Sequence, residues 1–274
     1  MREFGWATAA ERPQVVSLWQ RAFGDSEKLI GAFWDTCFAP ERIFVLRQCG
    51  KLAAMASIFP VRWLWGQGQT QLWYLYAVAT LPECSGAGLA TALLEQTAVL
   101  AAQRGAEGLL LVPGEPSLRD FYRARGYRDW SSRTERQLSA PAALDPADRT
   151  VQIDARAYGA LREQLLAGQS HIHLPAAYLE FQQVSAAESG GALLQMQIAG
   201  QTACAVVNGT EGICYVPELL APPELQRRAV AQIAQLYPAQ TYRICTPGTG
   251  QPFGMLRTWR RDLDQAGYLG LALE

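Results

Sequence analysis

The chain has 274 residues, with 24 basic and 25 acidic side chains and a formal net charge of −1. Its 49% apolar content is that of a folded globular protein and excludes a disordered chain. Only 18% of residues are charged, which argues against a nucleic-acid partner, because phosphate binding needs concentrated positive charge.

From the N-terminus, Thr8-Ala-Ala-Glu11 has the spacing of a capping box. It precedes a helix with Val15, Leu18, Trp19 and Ala22 on one side. Pro13 is late for a first turn, which predicts a shifted helix start. Gly24 stops this helix. Asp25 or Ser26 caps a second one, with Leu29, Ile30, Phe33, Trp34 and Cys37 inward. Strands follow over 42–48 and 52–65 around a Cys49-Gly50 turn, and over 69–80 after Gly66-Gln67-Gly68, as in an antiparallel meander. Then come a loop over 81–87, a helix over 88–104 stopped by Gly105, an apolar strand over 107–112, a short helix from Ser117 to Gly126, and a strand over 127–138.

Residues 139–150 are small, polar and Pro-rich, which marks 140–150 as a linker between domains over 1–139 and 151–274. The second half predicts a helix over 176–187, strands over 192–199, 202–208 and 212–216, a helix over 223–237 and a strand over 241–246. Val216-Pro217-Glu218 stands as a counterpart to Leu81-Pro82-Glu83, each ending a strand before a helix, which hints at duplication. No run of 18 apolar residues is present, so no membrane span is expected, and residues 1–11 lack the pattern of a signal peptide. The cysteines at 37, 49, 84, 204, 214 and 245 show no CxxC spacing. No metal site is expected, and a reduced cytoplasmic setting is the default.

The segment from Tyr74 to Tyr127 carries the chemistry. Gly86 and Gly88 remove side chains where a helix begins, so an anion can approach the free backbone N–H groups of its first turn. A dinucleotide fingerprint is not met, because the loop follows a meander and position 91 is Thr; the Gly-Lys-Ser/Thr of a P-loop is missing too.

The segment resembles the GNAT superfamily of acyl-CoA-dependent N-acetyltransferases. Pro82, Glu83, Gly86, Gly88 and Ala90 match its Arg/Gln-x-x-Gly-x-Gly/Ala motif with the preceding Pro-Glu, and Phe121, Tyr122, Gly126 and Tyr127 match its Phe/Leu-Tyr-x-x-x-Gly-Phe motif. The resemblance covers about residues 2–137. It implies an α/β fold, a mixed, mostly antiparallel sheet flanked by helices, and a degenerate GNAT-like second lobe in tandem, as in two-lobed bacterial members. It implies acetyl transfer from acetyl-CoA to a primary amine of a small molecule or peptide, without a metal; the second lobe would frame the acceptor cleft or mediate a homodimer. Strands 69–80 and 107–112 would splay around the pantetheine arm. Val78, Ala79, Ser85, Gly86, Ala87, Gly88, Leu89, Ala90 and Tyr122 would contact the cofactor. The Val78 N–H would serve as oxyanion donor and Tyr122 as the acid that protonates the leaving thiolate.

Ser85 departs from the motif, where Arg or Gln is usual. A charge-assisted contact worth roughly 1.5–3 kcal/mol is lost there, unless Arg119 or Arg123 replaces it. A second reading follows, a catalytically weak or inactive acyl-CoA-binding module. For the general base, Asp25, Glu83 and Glu274 are candidates, and Asp25 and Glu83 are also candidate substrate-binding residues; the plainer roles are a helix cap for Asp25 and a solvated loop charge for Glu83. His171-Ile-His173 has no evident third ligand and reads as polar packing. Cys84 reads as an apolar filler, Trp63 and Trp65 as core packing or an acceptor wall, and Pro247-Gly-Thr-Gly250 as a plain loop.

Overall fold

A computed structural model describes residues 2–39, 41–66, 68–139, 145–209, 212–260, 263 and 265–273. In chain order the elements are β1 (Arg2–Trp6), α1 (Arg12–Phe23), α2 (Glu27–Cys37), β2 (Ile43–Gln48), β3 (Lys51–Trp65), β4 (Gly68–Thr80), α3 (Leu89–Gln103), β5 (Gly108–Leu111), α4 (Leu118–Arg123) and β6 (Arg128–Asp129). There follow β7 (Ser132–Ser139), β8 (Arg149–Gln152), α5 (Ala155–Leu165), β9 (His171–His173), α6 (Ala176–Glu188), β10 (Ala192–Ile198), β11 (Gln201–Asn208), β12 (Ile213–Leu220), α7 (Gln226–Leu236), β13 (Thr241–Pro247), β14 (Gln251–Pro252) and β15 (Met255–Thr258). Among the described residues, no helix is long and apolar enough to cross a membrane. Two compact units result. The first is Met1–Trp130 with Gly254–Gln265, the second Ser131–Phe253 with Ala266–Leu273.

The first unit holds a sheet in the order β1-β2-β3-β4-β5-β15-β6. Only β4 and β5 run parallel, joined by α3; every other neighbouring pair is antiparallel. A parallel pair cannot be closed by a tight turn, so the chain must cross over through a helix. That helix is anchored by Leu89, Leu93, Leu94, Ala98 and Ala101, all buried against Ala54, Ala56, Leu75 and Leu109 of the sheet. Each fully buried leucine is worth roughly 1.5–3 kcal/mol. The opposite face packs α1 and α2 through an aromatic cluster: Trp19 lies 4.8 Å from Phe33 and 5.3 Å from Tyr76 between ring centroids. Trp63 is fully buried, edge-on to Trp130 at 5.0 Å, so it is core rather than an acceptor wall.

Thr8 caps a short 3-10 turn over Ala9–Glu11, and α1 then begins at Arg12 with Pro13 in its first turn, as the late proline predicts. β1 was not legible in the sequence. It is held at its end by Arg47, which donates to both Glu11 carboxylate oxygens at 2.7 Å and to the Trp6 carbonyl at 3.2 Å.

The second unit repeats this plan in a sheet ordered β14-β7-β13-β12-β11-β10-β8, with β12 and β13 as its one parallel pair and α7 as the crossover. Leu225, Ala229, Val230 and Ile233 bury that helix against β10–β13. The expected strand over 127–138 is divided. β6 stays in the first sheet, whereas β7 pairs with β13 in the second, and β15 from late in the chain fills the place beside β5. The contacts therefore part at Trp130 rather than at 139. Of the linker expected over 140–150, residues 140–144 lie outside the described residues, and β8 begins at Arg149.

The proposed Val216-Pro217-Glu218 counterpart is also corrected. β12 runs on to Leu220, and Glu218 is fully buried within it. Glu218 accepts from Arg162 Nε at 3.0 and 3.2 Å and from the Tyr158 hydroxyl at 2.5 Å. Arg162 also donates to the carbonyls of Ile172 and Leu269 at 2.8 Å. This ion pair survives burial because nearly every donor and acceptor is satisfied. The true counterpart of the Pro82–Cys84 3-10 turn is Pro223–Leu225, which likewise opens with Pro-Glu and precedes a crossover helix. His171 and His173 do have a third partner: both lie against Glu163 Oε2, at 3.2 and 3.0 Å. Even so, no group of three or more metal-ligating side chains suited to an ion occurs among the described residues.

The Glu11 carboxyl is held down from 4.5 to about 2, chiefly by its bond to Arg47, with burial opposing and Thr8 assisting. A carboxyl lowered on folding stabilises the native state above its unfolded value, and that contribution is lost as pH falls through the folded value. Glu11→Gln is expected to lower Tm at pH 7 and to shrink the loss of stability between pH 4.5 and about 2, read from thermal melts across that range.

Candidate active site

The site is built where β4 outruns its neighbour. The parallel ladder pairs Trp73, Tyr74 and Leu75 with Leu109, Leu110 and Leu111, then stops, while β4 continues to Thr80. Past Leu111 the next chain is Val112-Pro113, and proline has no N–H to extend a ladder. On its other edge β4 carries a bulge: Met55 opposes Ala79 and Ser57 opposes Tyr76, so Ala77 and Val78 face the single residue Ala56. Ala77 adopts φ +49°, a left-handed conformation costly for a non-glycine residue, and bulges of this kind re-aim backbone groups beside functional sites. The peptide at Ala77–Val78 is thus outside the register pairs on both sides. Sequence offers no signal for it, since alanine does not announce a positive φ.

The glycine loop follows. Ser85 N–H is bonded to the Pro82 carbonyl at 3.1 Å, and residues 85–88 are exposed. Gly86 and Gly88 have φ of +77° and +72°, and a Cβ at either would meet nothing within 4 Å, so both open onto free space. Gly88 is the cap residue of α3 and carries no side-chain cap bond, while Leu89 is buried and fixes the helix start. The first-turn amides therefore face outward beneath an open cradle, a ready site for an anion.

The second motif is tied to the first by Arg125. It donates to Thr91 Oγ1 in the first turn of α3 at 2.6 and 3.0 Å and lies 3.5 Å over the Phe121 ring. Tyr122 is buried in the same cluster as Leu89, Val78 and Cys84, edge-on to Tyr127 at 5.5 Å. Burial pushes its phenol up to about 12, with Arg125 pulling the other way. Buried hydroxyls of Ser57, Thr80 and Tyr127 find no hydrogen-bond partner among the described residues. Ser57 and Thr80 flank the bulge, so the polar groups of this region are not fully used by the protein itself.

The charges around the loop divide into spent and unspent. Glu83 is exposed and clasped by Arg21 through bonds of 2.6 and 3.0 Å, which lower its carboxyl. Arg119 pairs with Asp129, and Arg123 with Asp120 and Asp129, so neither replaces the missing motif cation. Arg2 does reach the loop, donating to the Ala87 carbonyl at 2.9 Å. Among the described residues neither Arg2 nor Arg125 forms an ion pair. Sequence reading missed both, because β1 was not foreseen and Arg125 falls at an unassigned place within the second motif. Asp25 is not the helix cap: Ser26 takes that role, bonding Leu29 N at 3.1 Å. Asp25 Oδ2 instead accepts from the Trp19 indole at 2.7 Å. Burial first, and the Asp25 charge second, raise the phenol of Tyr76, which stands next to the bulge. Ala79 is buried, Ala87 exposed and Ala90 half-buried; Glu274 lies outside the described residues.

Residues 4–129 match the family model of the acetyltransferase (GNAT) domain. Over the whole chain the fold is similar to those of solved N-acetyltransferases and of a tandem GNAT protein. A GCN5-related N-acetyltransferase from Anabaena variabilis is 16% identical, with TM-score 0.74, covering 94% of this chain and 73% of that one. A probable N-acyltransferase from Enterococcus faecalis is 12% identical, with TM-score 0.73 and the same coverages. A tandem GNAT protein from the clavulanic acid biosynthesis pathway is 12% identical, with TM-score 0.59, covering 94% of this chain and 98% of that one. No curated protein sequence matches the chain.

Tyr127 buries a hydroxyl without a partner among the described residues, and such a group costs about 1–3 kcal/mol. Tyr127→Phe is expected to raise unfolding free energy by about 1 kcal/mol, seen as a higher urea midpoint at unchanged slope.

Proposed function

We propose that the chain transfers an acetyl group from acetyl-CoA to a primary amine of a small molecule or peptide. The observation that supports this most is the divergence of β4 from β5 at Leu75, with the bulge at Ala77–Val78 on one side and the open, uncapped start of α3 on the other. The residues present suit such a ligand: an open glycine cradle, unspent cations beside it and underused hydroxyls around the bulge.

When bound, acetyl-CoA supplies the activated acetyl group. The amides of Gly86, Gly88, Leu89 and Ala90 would hold its pyrophosphate, with Ser85 and Ala87, whose N–H groups bond the Pro82 and Cys84 carbonyls, lining the loop. Arg2 and Arg125 take the place of the cation that Ser85 does not provide. The Val78 N–H, turned out by the bulge beside Ala79, would donate to the carbonyl oxygen as negative charge develops there. Asp25, with Tyr76 next to it, receives the amine and accepts its surplus proton, so that the neutral nitrogen attacks the carbonyl carbon. The C–S bond then breaks, and the sulfur takes the proton of Tyr122. Burial disfavours both phenolate and thiolate, so a phenol raised to about 12 still matches a leaving sulfur whose basicity rises in the same surroundings.

Two outcomes follow. Tyr122→Phe is expected to lower kcat by about 10²–10⁴-fold with little change in amine KM, measured by thiol release over an amine panel. Because the folded phenol keeps its proton until pH nears about 12, wild-type kcat is expected to show no alkaline loss from this acid below pH 10. Unchanged kcat in the variant would remove Tyr122 as the acid, and CoA binding without turnover on any amine would favour a binding module. Arg2→Gln is expected to weaken CoA binding about tenfold by calorimetry, and adding Ser85→Arg to restore it. No weakening would show that the anionic end does not rest on Arg2.

A further inference from the structure

The second unit contains a cleft of about 600 Å³, within the range of small-molecule sites. It opens between the end of α5, the start of β11, the end of β12 and the first residue of α7. Leu166, Leu220 and Pro247 supply apolar wall, and Gln169, Gln201, Thr202 and Gln226 supply amide and hydroxyl groups. Among the described residues no ionisable side chain lines it.

Gln226 marks the cleft as more than a packing gap. It is 6% exposed. Its Oε1 accepts from Arg136 at 3.4 Å and its Nε2 donates to the Ala221 carbonyl at 3.4 Å. Each bond uses one of the two positions its atom offers, so the buried carboxamide keeps one N–H donor and one acceptor lone pair. The cleft is also not a copy of the anion cradle in the first unit. Where that unit has Gly86 and Gly88 ahead of its crossover helix, this one has Pro222 and Pro223, which carry no N–H, followed by the carboxylate of Glu224. Pro222 and Pro223 offer an anion no backbone donor, the nearby Arg136 guanidinium stands outside the lining and is engaged on Gln226 Oε1, and a cation would lose hydration without gaining a partner.

We propose that this cleft binds an uncharged small molecule bearing an amide, whose C=O and N–H pair with the Gln226 carboxamide while its apolar part rests on Leu166, Leu220 and Pro247. The site is independent of the acetyl-transfer reading. The probes are N-acetyl-leucinamide and its charged counterpart N-acetyl-leucine, titrated into the full chain saturated with CoA and into the chain without it, by ligand-observed NMR. The neutral probe is expected to bind saturably in both, and the acid at least tenfold more weakly. Gln226→Leu removes the carboxamide, and Gln201→Trp fills the cleft from an exposed rim position; each is expected to weaken the neutral probe at least tenfold, with an unchanged circular dichroism spectrum. No saturable binding, equal binding of the acid, or binding retained in both variants would overturn the proposal.

Discussion

The molecule turns on one constraint: two neighbouring parallel strands cannot be joined directly, so the chain must leave the end of one, run back as a helix and return. In the first unit that constraint puts the free N–H groups of α3 just beyond the end of β4. Whether a site results depends on the two strands parting there. They part because Pro113 ends what β5 can offer and because the bulge at Ala77–Val78 bends β4 on its other edge. The strain of a left-handed alanine is carried by the packing around it: Leu75 below and Ala79 above are both buried. A β4 without the bulge would keep its N–H groups in the ladder with β3 and offer none to a ligand.

Electrostatics then sort the arginines by use. Arg21, Arg119 and Arg123 are neutralised by carboxylates within the same unit, and Arg257 is clasped by Glu95 at 2.7 and 2.9 Å. Such pairs at the surface contribute little stability, but they remove charge from the places where it would compete for an anion. Arg2 and Arg125 escape this neutralisation because their bonds go to a carbonyl and a hydroxyl, which take a hydrogen bond without cancelling the charge. A chain of almost zero net charge thus keeps two guanidinium groups out of ion pairs beside one loop.

What could be read in the sequence was what periodicity and glycine can encode. The meander over β2–β4, α3, β5, α4 and the glycine loop all follow from apolar spacing and from stops at Gly105 and Gly126. The strand exchange could not be read, because 127–138 is a sound strand pattern in either sheet and only tertiary pairing decides that Ser132–Ser139 lies on β13. β1 is short and mostly exposed, so it carries no apolar alternation. α5 hides its signal differently: its inward positions include Arg162, which counts as polar in any pattern and is buried only because Glu218, far along the chain, meets it. Pro217 misled for a related reason. A proline reads as a strand end, yet β12 tolerates it, since the ladder to β13 stops at Val216 and asks for no N–H there.

The second unit shows which features belong to the fold and which to the chemistry. It retains the parallel pair, the crossover helix, a Pro-Glu 3-10 turn and even the early end of the parallel ladder, at Val216 and Ile244. It differs at the few positions where backbone must be exposed. Two glycines become two prolines, and although β12 also bulges, with Val216 and Pro217 facing the single residue Val207, that bulge holds a proline without an N–H and is followed by the buried Glu218. There the carboxylate is drawn inward by Arg162, and the chain at Gly270 passes so close that a Cβ would stand 2.0 Å from Glu218 Oε1. Glycine is required at that point by contact as well as by its φ of +79°. The same topology has therefore been used twice, once to hold backbone donors open and once to close the equivalent place with a buried ion pair and the returning C-terminal segment.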